Sequence, residues 1–290
     1  MPQTDTGRGI LMMLIAIATF TSMDALAKTL IAEYPALQVV WARYTGQTVI
    51  VTLVFSCLPQ LRRLLRTRYP GLQAARSLMQ FGATAFFFVS LGYVGLAEAT
   101  AITDLNPVLI TLGAALFLGE KLGARRIFGV CAALFGALVI IRPGFGVFQP
   151  AALLPLCCAI CYAGFALATR WVGRDESPST SLIYSAMFGT LATTLLLPFI
   201  WQPIAMADLW GFVLIGALGS VAQFFLIRAF TIAEASAIAP FGYVGILFAI
   251  GWGILLFDEW PDGWTVIGAL VIAGAGVYVW HRETRVARIT

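Results

Sequence analysis

Apolar residues run in blocks of about 20, divided by short polar connections, along the 290-residue chain. A block of that length is what a helix needs to cross a hydrocarbon core roughly 30 Å thick, at about 1.5 Å of rise per residue. Ten blocks can be drawn, at about 9–30, 38–58, 73–95, 97–119, 125–142, 150–171, 181–201, 208–229, 235–257 and 263–281. Runs such as Val130 to Ile141 are apolar on every face, without the alternation that barrel strands require. The pattern predicts an all-α membrane protein with ten transmembrane helices in one domain, 1–290. Ala25-Leu26-Ala27 looks like a signal-peptidase site, but Asp24 beside it and the weak basic start at Arg8 argue against cleavage.

The second half of the pattern repeats the first. Ala97-Glu98-Ala99-Thr100-Ala101-Ile102 returns as Ala233-Glu234-Ala235-Ser236-Ala237-Ile238, an offset of 136. Ala25-Leu26-Ala27 returns as Ala166-Leu167-Ala168, Glu120 as Glu259 and Gly129 as Gly268, at offsets of 139 to 141. The halves are then about 9–142 and 150–281, five spans each. An odd number of spans forces the second half to enter from the opposite side of the membrane, so the repeats are inverted. That architecture lets a central site face either side by rocking.

Composition agrees with the pattern. Hydrophobic residues make up 60% of the chain and charged residues 11%, against about 25% charged in a soluble domain. A soluble enzyme and a disordered regulator are excluded on that ground. The net charge of +4 reads as topology rather than nucleic-acid binding. Fifteen of the 18 Lys and Arg fall on alternate connections counted from the N-terminus, against Lys28 and Arg142 on the other side and Arg43 within a span. The positive-inside rule then predicts cytoplasmic termini in a bacterial-type inner membrane.

In the first half, Ala97 to Ile102 is followed by Asn106-Pro107, Gly119-Glu120-Lys121 and Gly129. In the second, Pro240, Phe257-Asp258-Glu259-Trp260-Pro261 and Gly268 repeat the theme. These features resemble the EamA-type drug/metabolite transporters over the whole chain, and the length and aromatic-rich spans are similar to bacterial exporters of aromatic and other amino acids. The resemblance implies ten helices in two inverted five-helix repeats and a small-molecule substrate. One departure is that Pro107 precedes Glu120 by thirteen residues, whereas Ile246 stands at the equivalent place before Glu259.

A charge at mid-span costs about 2.5–3.5 kcal/mol and needs a partner or a wet cavity. Asp24, Arg43 and Asp104 lie five to seven residues inside the outer end, and Lys28 is one helical turn from Asp24, within reach of an i,i+4 pair. They form either a charged lining that recognises a zwitterion or carries a proton, or a self-neutralising structural network at the outer mouth. At mid-depth, Gln80, Thr84, Asn106, Tyr162, Gln223 and Tyr243 are candidate substrate contacts, with helix–helix hydrogen bonding as the alternative for each. Trp41, Phe241 and the run Phe86-Phe87-Phe88 could offer faces to an aromatic side chain. Glu120 and Glu259 end the fourth and ninth spans, where they cap the next helix, pair with cations or gate. Pro107 and Pro240 free backbone carbonyls and kink their spans.

Cys158 and Cys161 form a C-x-x-C, but His281 is the only histidine, so small packing residues are expected there rather than a metal site. There is no G-x-x-x-x-G-K-[ST] loop for ATP, and no G-x-S-x-G or H-E-x-x-H motif of a membrane enzyme. The reading is a secondary transporter without cofactor, its partners a small-molecule substrate and the lipid bilayer. It works by alternating access and exports amino acids, aromatic ones favoured. Uptake of another metabolite, such as a nucleoside-like or vitamin compound, is the alternative, and an integral membrane enzyme the alternative of another class.

Overall fold

The computed structural model describes residues 6–56, 66–106, 108–110, 112–113, 124–141, 150–172, 176–232 and 239–287. Its regular structure there is all helical: α1 (Thr6–Ile31), α2 (Ala36–Ser56), α3 (Pro70–Ser90), α4 (Leu96–Thr103), α5 (Ala124–Ile141), α6 (Leu153–Val172), α7 (Pro178–Ile200), α8 (Leu209–Ile232), α9 (Val244–Phe257) and α10 (Gly263–Ala287). Short 3-10 turns precede α6 at Pro150–Ala152 and α9 at Ala239–Tyr243. Among the described residues, four helical stretches are long and apolar enough to cross a membrane: Gly7–Ile31, Pro150–Thr169, Ser179–Ile200 and Leu209–Leu226. Shorter apolar helices cover Ile127–Ile141, Phe241–Phe257 and Gly263–Ala275.

The molecule keeps apolar side chains on its outside as well as in its core. Phe199 and Met206 are each 85% exposed, and Phe135, Leu195, Val213, Leu255 and Leu270 also face outward. Water would penalise such a surface, whereas lipid tails accept it. Several helix hydroxyls are satisfied within their own helices: Thr19 and Ser22 donate to the carbonyls of Ile15 and Ala18 at 2.7 Å, and Ser220 to that of Gly216 at 2.8 Å. Back-bonding of this kind removes a donor from lipid without needing a neighbour.

Packing follows a rule of exchange. α1 lies along α8 and α3 along α6; α2 packs on α7 and α8, and α3 on α6 and α7; α4 meets α9, and α5 meets α10. Replacing each helix number n by n ± 5 maps these contacts onto one another. Glycine makes the tightest crossings. A Cβ on Gly136 would stand 2.9 Å from the carbonyl oxygen of Gly268, and one on Gly46 would stand 2.6 Å from the Cα of Gly216.

Two predicted spans are not continuous. The block at 97–119 begins as α4, but the helix stops at Thr103 and the chain turns through Asp104 and Leu105 before helix resumes at Asn106. The block at 235–257 contains the 3-10 turn Ala239–Tyr243, and regular α-helix begins only at Val244. Periodicity could not register these interruptions, because a broken helix is as apolar as an intact one.

Both ends are tied by polar contacts. At one end, Tyr34 donates to Asp208 at 2.7 Å and accepts from the backbone N–H of Ala205 at 3.1 Å. Gln38 donates to the carbonyl of Gln202 at 2.8 Å and accepts from its N–H at 2.9 Å. At the other, Arg76 is 3% exposed and donates to Gln73, Thr169, Ser185 and the Ser181 carbonyl, its guanidinium 5.3 Å from the centre of the Phe165 ring. Gln73 donates to Glu176 at 2.6 Å and to Ser181 at 3.2 Å. Glu176 also accepts from the Thr67 hydroxyl and from the backbone N–H groups of Arg68 and Tyr69. Burial by itself would raise the Glu176 carboxyl. The side-chain donors Thr67 and Gln73, then the two backbone donors, outweigh it and hold it below its ordinary value of 4.5.

Candidate functional site

A cavity of about 280 Å³ lies between the helices, near the lower end of the range for small-molecule sites, roughly 300–1,000 Å³. Its wall draws on α1, α2, α3, α4, α6, α8 and both interrupted spans. Of the polar residues singled out in the sequence, Asp24, Arg43, Gln80, Thr84, Asp104, Asn106, Tyr162 and Gln223 all line it. Three of the charged residues and five of the neutral mid-depth residues, assigned to two zones by their distance along the chain, therefore share one chamber.

The helix break explains the depth of Asp104. Its own N–H closes the last turn of α4 on the Thr100 carbonyl at 2.9 Å, and the chain then leaves helical geometry. Irregular backbone at membrane depth is tolerated only where it is enclosed by protein or lines a cavity. Here the side chains of Asp104 and Asn106 flank the chamber. The other break supplies Gly242 to the wall, and Gly245 follows from the first turn of α9.

Arg43, 7% exposed, is held from several sides. It donates to Thr84 at 2.6 Å, and its guanidinium stands 5.2 Å from the Tyr44 ring centre and 5.9 Å from that of Phe88. Thr84 in turn meets the Tyr44 hydroxyl at 3.0 Å and donates to the Gln80 carbonyl at 3.1 Å. Several buried polar atoms make no hydrogen bond among the described residues: Arg43 Nε, Asp104 Oδ2, Asn106 Oδ1 and the Tyr243 hydroxyl. An unsatisfied buried polar group costs about 1–3 kcal/mol. Arg43, Asp104 and Asn106 among them line one cavity, where a bound molecule or water can supply what the protein does not.

Apolar walls complete the chamber. Phe20, Phe87, Phe88 and Phe165 are in it, with Met13, Ile17 and Leu226 toward the end of α1 near its N-terminus. Cys158 lines it too, a small residue on the same α6 face as Tyr162. Phe20 and Phe165 had no distinguishing sequence signal among 21 phenylalanines.

Other predicted residues lie elsewhere. Trp41 donates to Thr194 at 3.2 Å and packs edge-on against Trp201, away from the cavity wall. Phe241 packs behind the wall, against the small cluster of Met13, Ile17 and Ala229. Tyr243 is not in the wall, although Gly242 beside it is. Pro240 lies in the 3-10 turn before α9. Pro107 and Glu120 lie outside the described residues.

The expected Lys28–Asp24 pair is replaced by a longer-range one. Lys28 pairs with Glu259 and donates to the Val94 carbonyl at 3.1 Å, while Asp24 faces the cavity. The cause is the end of α9. Asp258 adopts a left-handed conformation (φ 52°), and the Glu259 N–H turns back onto the Gly253 carbonyl at 3.0 Å, a Schellman-type ending. Glu259 thereby points to α4, where its Oε2 accepts the Leu96 N–H at 3.1 Å. It caps α4 rather than the next helix, α10. The start of α10 is instead held by Asp262, which accepts from Thr265 N–H at 2.8 Å.

The sequence pattern of the EamA-like transporter family matches residues 7–142 and again residues 149–280. The pseudopaline exporter of Pseudomonas aeruginosa is 29% identical over 273 residues, covering 92% of this chain and 94% of its own. The riboflavin transporter of Vibrio cholerae is 27% identical over 286 residues (97% and 95%), and the S-adenosylmethionine uptake transporter of Rickettsia prowazekii 24% over 281 (96% and 94%). A protein of known crystal structure superposes with a TM-score of 0.65 at 19% identity, over 96% of this chain and 98% of its own, a likeness of fold.

Proposed function

The chain belongs to the EamA-like transporter family, and from that premise we propose that it is a secondary transporter exporting amino acids, aromatic ones favoured, from the cytoplasm. The observation that carries this reading is the chamber in which Asp24 and Asp104 share a wall with Arg43 and four phenylalanines. A zwitterion finds a negative and a positive partner there, and an aromatic side chain finds ring faces. The polar atoms left without partners suit a transporter, which must bind well enough to select and weakly enough to release.

Alternating access is supported by the helix exchange rule, which is what two inverted five-helix repeats would produce. With the Arg-rich connections on the cytoplasmic side of an inner membrane, Lys28, Val94, Leu96 and Glu259 close the outer end. Met13, Ile17, Gln223 and Leu226 then lie in the half of the chamber nearer the cytoplasm. The reading includes no ATP and no enzymatic step.

Reconstitution into liposomes loaded with a panel of amino acids tests it. Phenylalanine, tyrosine and tryptophan should leave faster than through protein-free liposomes; if no amino acid does, the substrate reading falls. The second reading, uptake of another metabolite, is favoured by the relatives named for riboflavin and S-adenosylmethionine. Inward movement of either compound, with no amino-acid flux, would put it first.

A further inference from the structure

Asp104 differs from the charged groups in and beside the chamber that have partners. Arg43 has a hydroxyl and two aromatic rings around it and Asp24 within electrostatic reach, and Lys28 and Glu259, outside the chamber wall, have each other. Asp104 has no ion pair among the described residues, and its Oδ2 is buried with no hydrogen bond. Asn106 Oδ1, two residues on, is likewise an acceptor without a donor, and the Tyr243 hydroxyl is buried and unbonded. Asp104 Oδ2 and Asn106 Oδ1 can only accept, so the partner these two lack is a donor. A lone carboxylate at membrane depth adds that this partner carries positive charge, since an unpaired charge there costs about 2.5–3.5 kcal/mol.

The titratable and charged groups lining the same chamber are Asp24 from α1, Arg43 from α2, and Cys158 and Tyr162 from α6; Tyr243, just before α9, is outside the wall with its hydroxyl buried. α3 and α8 contribute the neutral Gln80, Thr84 and Gln223, and α10, which packs on α4, brings no side chain into the wall among the described residues. Arg43 makes no ion pair with Asp104. No cation among the described residues satisfies Asp104, and the partner we infer is a proton or the ammonium group of a bound molecule.

We propose that Asp104 is an exchange site that holds either a proton or the ammonium group of the substrate, never both. Loading from the cytoplasm breaks the carboxyl O–H bond, releases the proton to cavity water and leaves the carboxylate paired with the ammonium group. On the outer side a proton re-forms the O–H bond and the ammonium group is released. One proton enters for each substrate expelled. For a zwitterion the cycle moves one positive charge inward, so membrane potential and pH gradient both drive it. The direction and the zwitterion rest on the function proposed above; the competition at Asp104 does not.

Dicyclohexylcarbodiimide, which attacks protonated carboxyl groups in apolar surroundings, tests the competition on the full-length purified chain. The adduct should map to Asp104 by peptide mass spectrometry and diminish as pH is raised. Phenethylammonium, an amine with an aromatic ring and no carboxylate, should slow it about tenfold, the effect of about 1.4 kcal/mol of competing binding. Asp104→Glu should keep the pH-dependent labelling and Asp104→Asn should lose it. An unlabelled Asp104, or labelling indifferent to pH and to phenethylammonium, overturns the proposal. Amino-acid flux is measured separately, so its absence with the labelling intact would remove the substrate reading and leave the exchange site standing.

Discussion

Two buried arginines show how the protein separates structure from function. Arg76 and Arg43 are 3% and 7% exposed, and each lies near an aromatic ring on an apolar helix. Arg76 is surrounded by acceptors: Gln73, Thr169, Ser185 and the Ser181 carbonyl take its N–H groups. Arg43 has Thr84, and its Nε has nothing. A cation with four of its five N–H groups taken joins α3 to α6 and α7 and has little capacity left for a ligand. An unsaturated one beside a cavity is prepared for a group that comes and goes.

Replacing each arginine tests that contrast most severely. Arg76→Met strands its acceptors and should cost about 3–5 kcal/mol, as breaking a buried charged network does, read as the denaturant midpoint in detergent micelles. Arg43→Met removes one hydrogen bond and should cost about 1 kcal/mol, while lowering substrate flux more than tenfold. Equal destabilisation by the two would erase the distinction.

Gly189→Ala sharpens the site side. A Cβ there would stand 2.3 Å from Cδ1 of Tyr44, whose hydroxyl holds Thr84 and through it Arg43. The helix-propensity gain of about 1 kcal/mol from replacing glycine should lose to overpacking of about 1–3 kcal/mol. The variant should melt lower and transport more slowly, whereas a stabilised Gly189→Ala would mean that Tyr44 moves aside.

The Lys28–Glu259 pair is intermediate, with side chains 11% and 33% exposed. A double-mutant cycle of Lys28→Met and Glu259→Gln should give a coupling near 1 kcal/mol by equilibrium unfolding. A coupling of zero would mean that solvent and the Val94 carbonyl replace the partner.

The smallest effect is the acid response of the Arg76 end. The Glu176 carboxyl is depressed when folded, so its contribution is present above its unfolded value. That contribution is lost as pH falls through the folded one. Glu176→Gln should flatten the acid limb of stability against pH below about 4.5, the ordinary value, and an unchanged limb would assign the acid response to other carboxylates.

How far these sites were legible depended on distance along the chain. The interruptions near Asp104 and Tyr243 left no trace in hydropathy, although Asn106-Pro107 and Pro240 drew attention to the right stretches. Asp24, Arg43 and Asp104 were legible as costly, but not as members of one chamber with Gln80 and Gln223. The i,i+4 rule paired Lys28 with Asp24. The left-handed turn at Asp258, 230 residues later in the chain, pairs it with Glu259 instead. Trp41 shares aromatic character with Phe87 and Phe88 but faces Trp201.

The sequence by itself determined the solvent and the element type. Bilayer thickness and the need to satisfy backbone groups in lipid act on about 20 consecutive residues, so apolar run length suffices. Only the tertiary structure decided which polar groups are saturated and which are left open. A hydrogen bond between residues such as Arg43 and Thr84, or Glu259 and Leu96, depends on positions brought together by packing, and no local pattern encodes it.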